Sequence, residues 1–134
     1  MASREATCSC GRLRLTAEGE PVRVSVCHCL ACQRRSGSAF VAQARFAPDR
    51  VQITGDSTAY TRVSDDGESR TFSFCPECGA TVFYTCGPEP EPDTVAVPLG
   101  AFADPAFPAP TRSVWESRMH PWVTVPTATE HDPL

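Results

Sequence analysis

Three thiols fall within six residues in the stretch Cys27-His28-Cys29-Leu30-Ala31-Cys32, and two further pairs flank it, Cys8-Ser9-Cys10 upstream and Cys75-Pro76-Glu77-Cys78 downstream. Cys-x-Cys and Cys-x2-Cys pairs are poor local disulfide partners but good metal claws, because a zinc ion takes four soft ligands in a tetrahedron. Seven cysteines so spaced point to two zinc sites per chain. Cys8 and Cys10, two apart on a strand, would share a face. With Cys75 and Cys78 they would complete a closed site of four thiolates. Such a site contributes on the order of 10 kcal/mol of apparent binding energy to folding.

The remaining triplet has a different chemistry. Cys27 and Cys29 are expected on one strand face and Cys32 on the turn that follows, with His28 on the opposite face as a packed or solvated ring. Three protein ligands leave one position open, the mark of a catalytic zinc. Spacing alone also allows a rival arrangement, in which Cys29-x2-Cys32 joins Cys75-x2-Cys78 and leaves Cys8, Cys10 and Cys27 as a looser set. Cys86, at the end of an apolar strand, reads as a buried thiol or as a fourth ligand that would close the triplet.

The elements that must position these residues are short. Alternating polarity predicts strands over 12–17 and 22–26, the second running into Cys27, and over 40–46. A short turn or single helical turn is expected over 29–36. Val51–Thr54 and Thr58–Thr61 flank Gly55-Asp56, a hairpin signal. Another turn is expected at Asp65-Asp66-Gly67. Strands over 69–74 and 80–85 enclose Cys75 and Cys78, the arrangement of a zinc knuckle. One more strand is expected over 94–99, followed by Pro-rich irregular chain. Many short strands with Gly and Pro turns predict an all-β domain, with residues 1–126 as one zinc-binding unit and 127–134 as a polar, frayed tail.

Composition narrows the partners. The 134 residues carry a formal charge of -4, and all twelve basic residues are arginine. An acidic chain without a basic run argues against a nucleic-acid backbone as partner. No apolar run approaches a membrane span and the N-terminus carries no apolar signal segment, so the expected location is the cytoplasm. Arg34 and Arg35, with the amides near Ser36-Gly37-Ser38, are candidates to receive the carboxylates of a peptide thiol, or form a solvated face. His120, near Trp122, is read as structural, with a proton-shuttling role as the alternative.

The ordered pattern Cys8-Ser9-Cys10-Gly11, then Cys27 to Cys32 with Gly37-Ser38, then Phe74-Cys75-Pro76-Glu77-Cys78-Gly79, resembles the glutathione-dependent formaldehyde-activating enzymes and their centromere-protein-V-like relatives. Gly100 to Pro105 and the closing Arg118-Met119-His120-Pro121-Trp122 extend the likeness. The resemblance implies a β-tent of small antiparallel sheets held by zinc. It assigns Cys8, Cys10, Cys75 and Cys78 to a structural zinc, and Cys27, Cys29 and Cys32 to a catalytic one. The implied reaction is that of a carbon–sulfur lyase, run as the condensation of formaldehyde with glutathione. Arg34, Ser36, Gly37 and Ser38 are then the candidate contacts for glutathione or an analogous small thiol.

Overall fold

The computed structural model describes residues 2–64 and 66–134. Eleven strands and one α-helix follow in the order β1 (Ser3–Thr7), β2 (Arg14–Glu18), β3 (Arg23–Cys27), α1 (Leu30–Ser36), β4 (Val41–Phe46), β5 (Val51–Thr54), β6 (Thr58–Val63), β7 (Ser69–Phe74), β8 (Thr81–Cys86), β9 (Thr94–Pro98), β10 (Arg112–Val114) and β11 (Glu130–His131). They form a three-stranded sheet, β1-β2-β5, and an eight-stranded sheet, β11-β10-β3-β4-β9-β8-β7-β6. The pairings are antiparallel except those of β10, which runs parallel to both β3 and β11. The expectation of small sheets throughout is therefore corrected: one sheet is large, and it is not purely antiparallel.

Period-two alternation gives the large sheet two different faces. Val24 on β3, Ala44 and Phe46 on β4, and Val95 and Val97 on β9 join Leu13, Leu15, Ala17 and Ala6 in one core between the sheets. Arg23, Ser25 and Cys27 take the other face of β3, paired across the strand register with Arg45, Gln43 and Val41 of β4. On that same face Phe72, Tyr84, Cys86 and Ala96 make a smaller apolar cluster. One face thus builds the core and leaves the other free for a site.

The hairpin expected around Gly55-Asp56 does not form. β5 pairs with β2 and β6 with β7, so the chain leaves one sheet for the other between them. Gly55 makes this crossing possible: its φ is +97°, and a Cβ there would lie 2.0 Å from the Arg12 carbonyl oxygen. Gly55→Ala combines left-handed strain with a backbone clash, and is expected to destabilise the protein by at least about 2 kcal/mol in urea unfolding.

No strand is predicted before residue 12, yet Ser3–Thr7 pair along β2 as β1. Residues 127–134, expected to fray, are instead tied down. β11 pairs with β10, the Asp132 carbonyl accepts from the Glu116 amide at 3.0 Å, and His131 Nδ1 lies 2.8 Å from a Glu116 carboxylate oxygen. Polarity predicted solvation, but main-chain hydrogen bonds to an open sheet edge hold this segment. Of the turn expected at 65–67, Asp65 lies outside the described residues; the Gly67 amide donates to the Ser64 carbonyl at 2.8 Å.

Candidate metal centres

The first centre is made by two facing turns. Cys8 and Cys10 do not lie on a strand, as their spacing suggested, but in the turn that follows β1. There the Leu13 amide donates to Cys8 Sγ at 3.2 Å, and the Gly11 amide to the Cys8 carbonyl at 3.1 Å. Opposite them, the turn between β7 and β8 forms the expected knuckle: the Glu77 amide reaches Cys75 Sγ at 3.4 Å and the Gly79 amide reaches the Cys75 carbonyl at 2.8 Å. Gly79 has a φ of +79°, which closes the turn without Cβ strain.

The sulfurs of Cys8, Cys10, Cys75 and Cys78 all lie within 4.8 Å of one another, a group that could hold a metal ion. Cys10 Sγ is 3.6 Å from both Cys8 Sγ and Cys75 Sγ. A tetrahedral ion with bonds of ~2.3 Å to sulfur needs edges of about 3.8 Å, so the cage matches that geometry. Burial pushes the Cys8 thiol up, but the Leu13 amide and its sulfur neighbours outweigh this and bring it down to about 6. Amides aimed at sulfur stabilise thiolate, the form a metal requires.

The second centre gathers Cys27 from the end of β3, Cys29 from the helix N-cap and Cys32 from inside α1, again with all sulfurs within 4.8 Å. Cys29 is not on a strand. Its sulfur takes the place usually filled by a Ser or Asp oxygen at an N-cap, accepting from the Cys32 amide at 3.3 Å. Gly37, at φ +74°, ends the helix. A seven-residue helix is marginal by itself, and Gln33 anchors it. The Gln33 side-chain amide donates to the His28 carbonyl at 2.8 Å and the Arg118 carbonyl at 3.1 Å. Its Oε1 is thereby left as acceptor for His120 Nε2 at 2.9 Å, which makes His120 a structural partner of the helix.

His28 is fully buried and turned away from the sulfurs, its Nε2 at 2.9 Å from Ser113 Oγ. Cys86 belongs to the apolar cluster with Phe72 and Tyr84. Among the described residues no His, Asp or Glu ligand atom and no fourth cysteine joins the triplet. The rival pairing of Cys29 and Cys32 with Cys75 and Cys78 is not formed. Within the triplet, hydrogen bonds from Cys27 and Cys32 pull the Cys29 thiol down to about 2, while those same contacts and burial raise Cys27. Three sulfurs held this close together are a pre-formed ligand set for a cation.

This triplet opens on a cleft of about 900 Å³ along the free face of the large sheet. Seven of the twelve arginines line it, Arg23, Arg34, Arg45, Arg62, Arg70, Arg112 and Arg118. Arg62 Nη2 comes within 3.9 Å of Cys32 Sγ, and both Arg62 and Arg35 pack on the Phe72 ring at 4.8 Å. Of the four residues suggested for thiol recognition, Arg34 lines the cleft. Ser36, Gly37 and Ser38 do not: Ser36 Oγ donates to the Cys32 carbonyl and accepts from the Ser38 amide, closing the helix end. Arg23, Arg45 and Arg112 carry no signal in the sequence because each is a single arginine in a separate segment, and none belongs to a basic run.

No helix among the described residues is long and apolar enough to cross a membrane. No curated protein matches the chain. A crystal structure of a Rhodobacter sphaeroides protein is similar in fold, with a TM-score of 0.55 at 20% identity over 72% of this chain and 85% of that one. The family model described as glutathione-dependent formaldehyde-activating enzyme matches residues 3–118, a span that contains both cysteine clusters. The chain belongs to the glutathione-dependent formaldehyde-activating enzyme family.

Proposed function

We propose that this protein condenses formaldehyde with glutathione to give S-hydroxymethylglutathione, a carbon–sulfur lyase reaction in its reverse sense. In this reading Cys8, Cys10, Cys75 and Cys78 hold a structural zinc, and Cys27, Cys29 and Cys32 hold a catalytic one. The two sheets make the family's β-tent, a single zinc-binding domain that includes the docked C-terminal segment. The observation that carries the reading is the three-thiol cluster at the wall of a cleft, with no fourth ligand atom within reach among the described residues. Zinc held there would supply an open fourth position and lower the pKa of a thiol that enters it.

The protein's own residues would do the rest. The Arg62 guanidinium beside Cys32 offsets the negative charge of three thiolates, which would otherwise repel an incoming sulfur. The cleft holds the thiol and the small aldehyde together, turning a bimolecular encounter into a positioned one. In the net reaction the thiol sulfur loses its proton and bonds to the formaldehyde carbon. The C=O bond becomes single, and its oxygen takes up a proton. Arg34, which lines the cleft, is a proposed contact for a glutathione carboxylate.

Exchange spectroscopy by NMR tests this directly. Catalytic amounts of protein are expected to speed interconversion of glutathione plus formaldehyde with their hemithioacetal, above the uncatalysed rate. An unchanged rate with protein that carries zinc in both centres would sink the reading.

A further inference from the structure

Two arginines face each other across the strand register on the cleft side of the large sheet. Arg23 of β3 and Arg45 of β4 are direct partners. Like charges directly opposite one another destabilise an antiparallel pair. Neither guanidinium has a carboxylate among the described residues, and the Nε of each is shut off from solvent without an acceptor. Their neighbours on the same face differ. Arg112 reaches Glu130 and Asp132 at 3.6 Å, and Arg70 reaches Glu68 at 3.1 Å. Burial, and then the charges of Arg45 and Arg112, pull the Arg23 guanidinium below its ordinary pKa. Of the cleft arginines, Arg70 and Arg112 are matched with acids; Arg23 and Arg45 are not, and they stand directly opposite each other.

One register step nearer the thiols stands Gln43, paired with Ser25 and 2% exposed. Its Nε2 donates to Ser25 Oγ at 2.9 Å, which leaves Oε1 buried with no donor. One step further is Cys27, opposite Val41. Along this groove the protein therefore presents thiolate ligands, then an unfilled hydrogen-bond acceptor, then two unfilled cationic forks. At ~3.3 Å per residue the thiolate end and the arginine end are about 13 Å apart along the strand.

We infer that Arg23 and Arg45 form a receptor for an oxyanion carried by the thiol ligand, with Gln43 accepting from an N–H between that anion and the sulfur. The ligand class is a thiol whose carboxylate lies one amide or more away from sulfur, rather than a small neutral thiol. A phosphate is the other anion the two forks would fit. This rests on the proposed function only in taking the triplet as the place where sulfur binds.

The test uses ligands that cannot react. S-methylglutathione carries the amides and carboxylates without a free thiol; inorganic phosphate and 2-(methylthio)ethanol are the other arms. The Nε–Hε NMR signals of Arg23 and Arg45, assigned from Arg23→Gln and Arg45→Gln, are expected to move with S-methylglutathione and not with 2-(methylthio)ethanol. Movement with phosphate alone would replace the carboxylate by a phosphate. Each substitution is expected to weaken S-methylglutathione binding by about 10- to 100-fold. Each is also expected to raise the midpoint of thermal unfolding of the ligand-free protein by about 1–4 °C, because a repulsion is removed. A merely structural arginine would lower it. Signals unmoved by both anions, or unchanged affinity in both variants, overturn the receptor. If the signals move while formaldehyde exchange fails, the receptor stands and the proposed reaction falls. If exchange proceeds and both variants handle glutathione as the parent does, the reverse holds.

Discussion

Cys75→Ser is expected to abolish the folded state. The thiol of Cys75 is fully buried and sits 3.6 Å from Cys10 Sγ, in the turn that joins β7 to β8. Cys8 and Cys10 approach it from the turn after β1, so this one cage ties the small sheet to the large one. Under the proposed zinc assignment the metal contributes on the order of 10 kcal/mol of apparent folding energy. Domains of this kind have a net stability of about 5–15 kcal/mol. Losing one of four thiolates therefore removes most or all of the margin. Far-UV circular dichroism should show the loss of sheet signal, and metal analysis should show the loss of zinc. A folded Cys75→Ser protein with two zinc ions would show that the cage is not a metal centre.

The second large effect is on activity with the fold retained. Cys32→Ser is expected to lose one zinc of two and to reduce the rate of hemithioacetal exchange by about 10³-fold or more. That loss corresponds to the several kcal/mol a metal contributes to such a step. The fold should survive, because Cys27, Cys29 and Cys32 lie in one short stretch and tie β3 only to the helix that follows it. Gln33 continues to hold that helix to His28, Arg118 and His120. The contrast between the two variants is the discriminating result. Equal unfolding in both would remove the distinction between a structural and an open centre.

Much of this was legible in the chain. Cys75-x2-Cys78 between two alternating segments specifies a knuckle, because the turn, its glycine and the flanking strands are all local. The strands expected over 22–26, 40–46, 69–74 and 80–85 form at 23–27, 41–46, 69–74 and 81–86, and for the first two the alternation of apolar and polar residues needs no knowledge of partners. The helix over Leu30–Ser36 was legible only as a short turn or single helical turn, since its cap is a sulfur and its anchor is the distant pair Arg118 and His120.

What only tertiary structure decided is pairing. Gly55-Asp56 carries a local hairpin signal, yet β5 and β6 pair with β2 and β7 in different sheets, and Gly55 is needed at the crossing because it passes against the Arg12 carbonyl, far away in sequence. The polar tail docks because an open edge of β10 is available to it. Arg23, Arg45 and Arg112 never form a basic run, and strand register alone brings them into one cleft with the cysteine triplet. Ligand type and local spacing are properties of neighbouring residues and are written in the sequence. The charge of a cleft is a sum over residues that meet through long-range hydrogen bonds, and only the folded sheet carries out that sum.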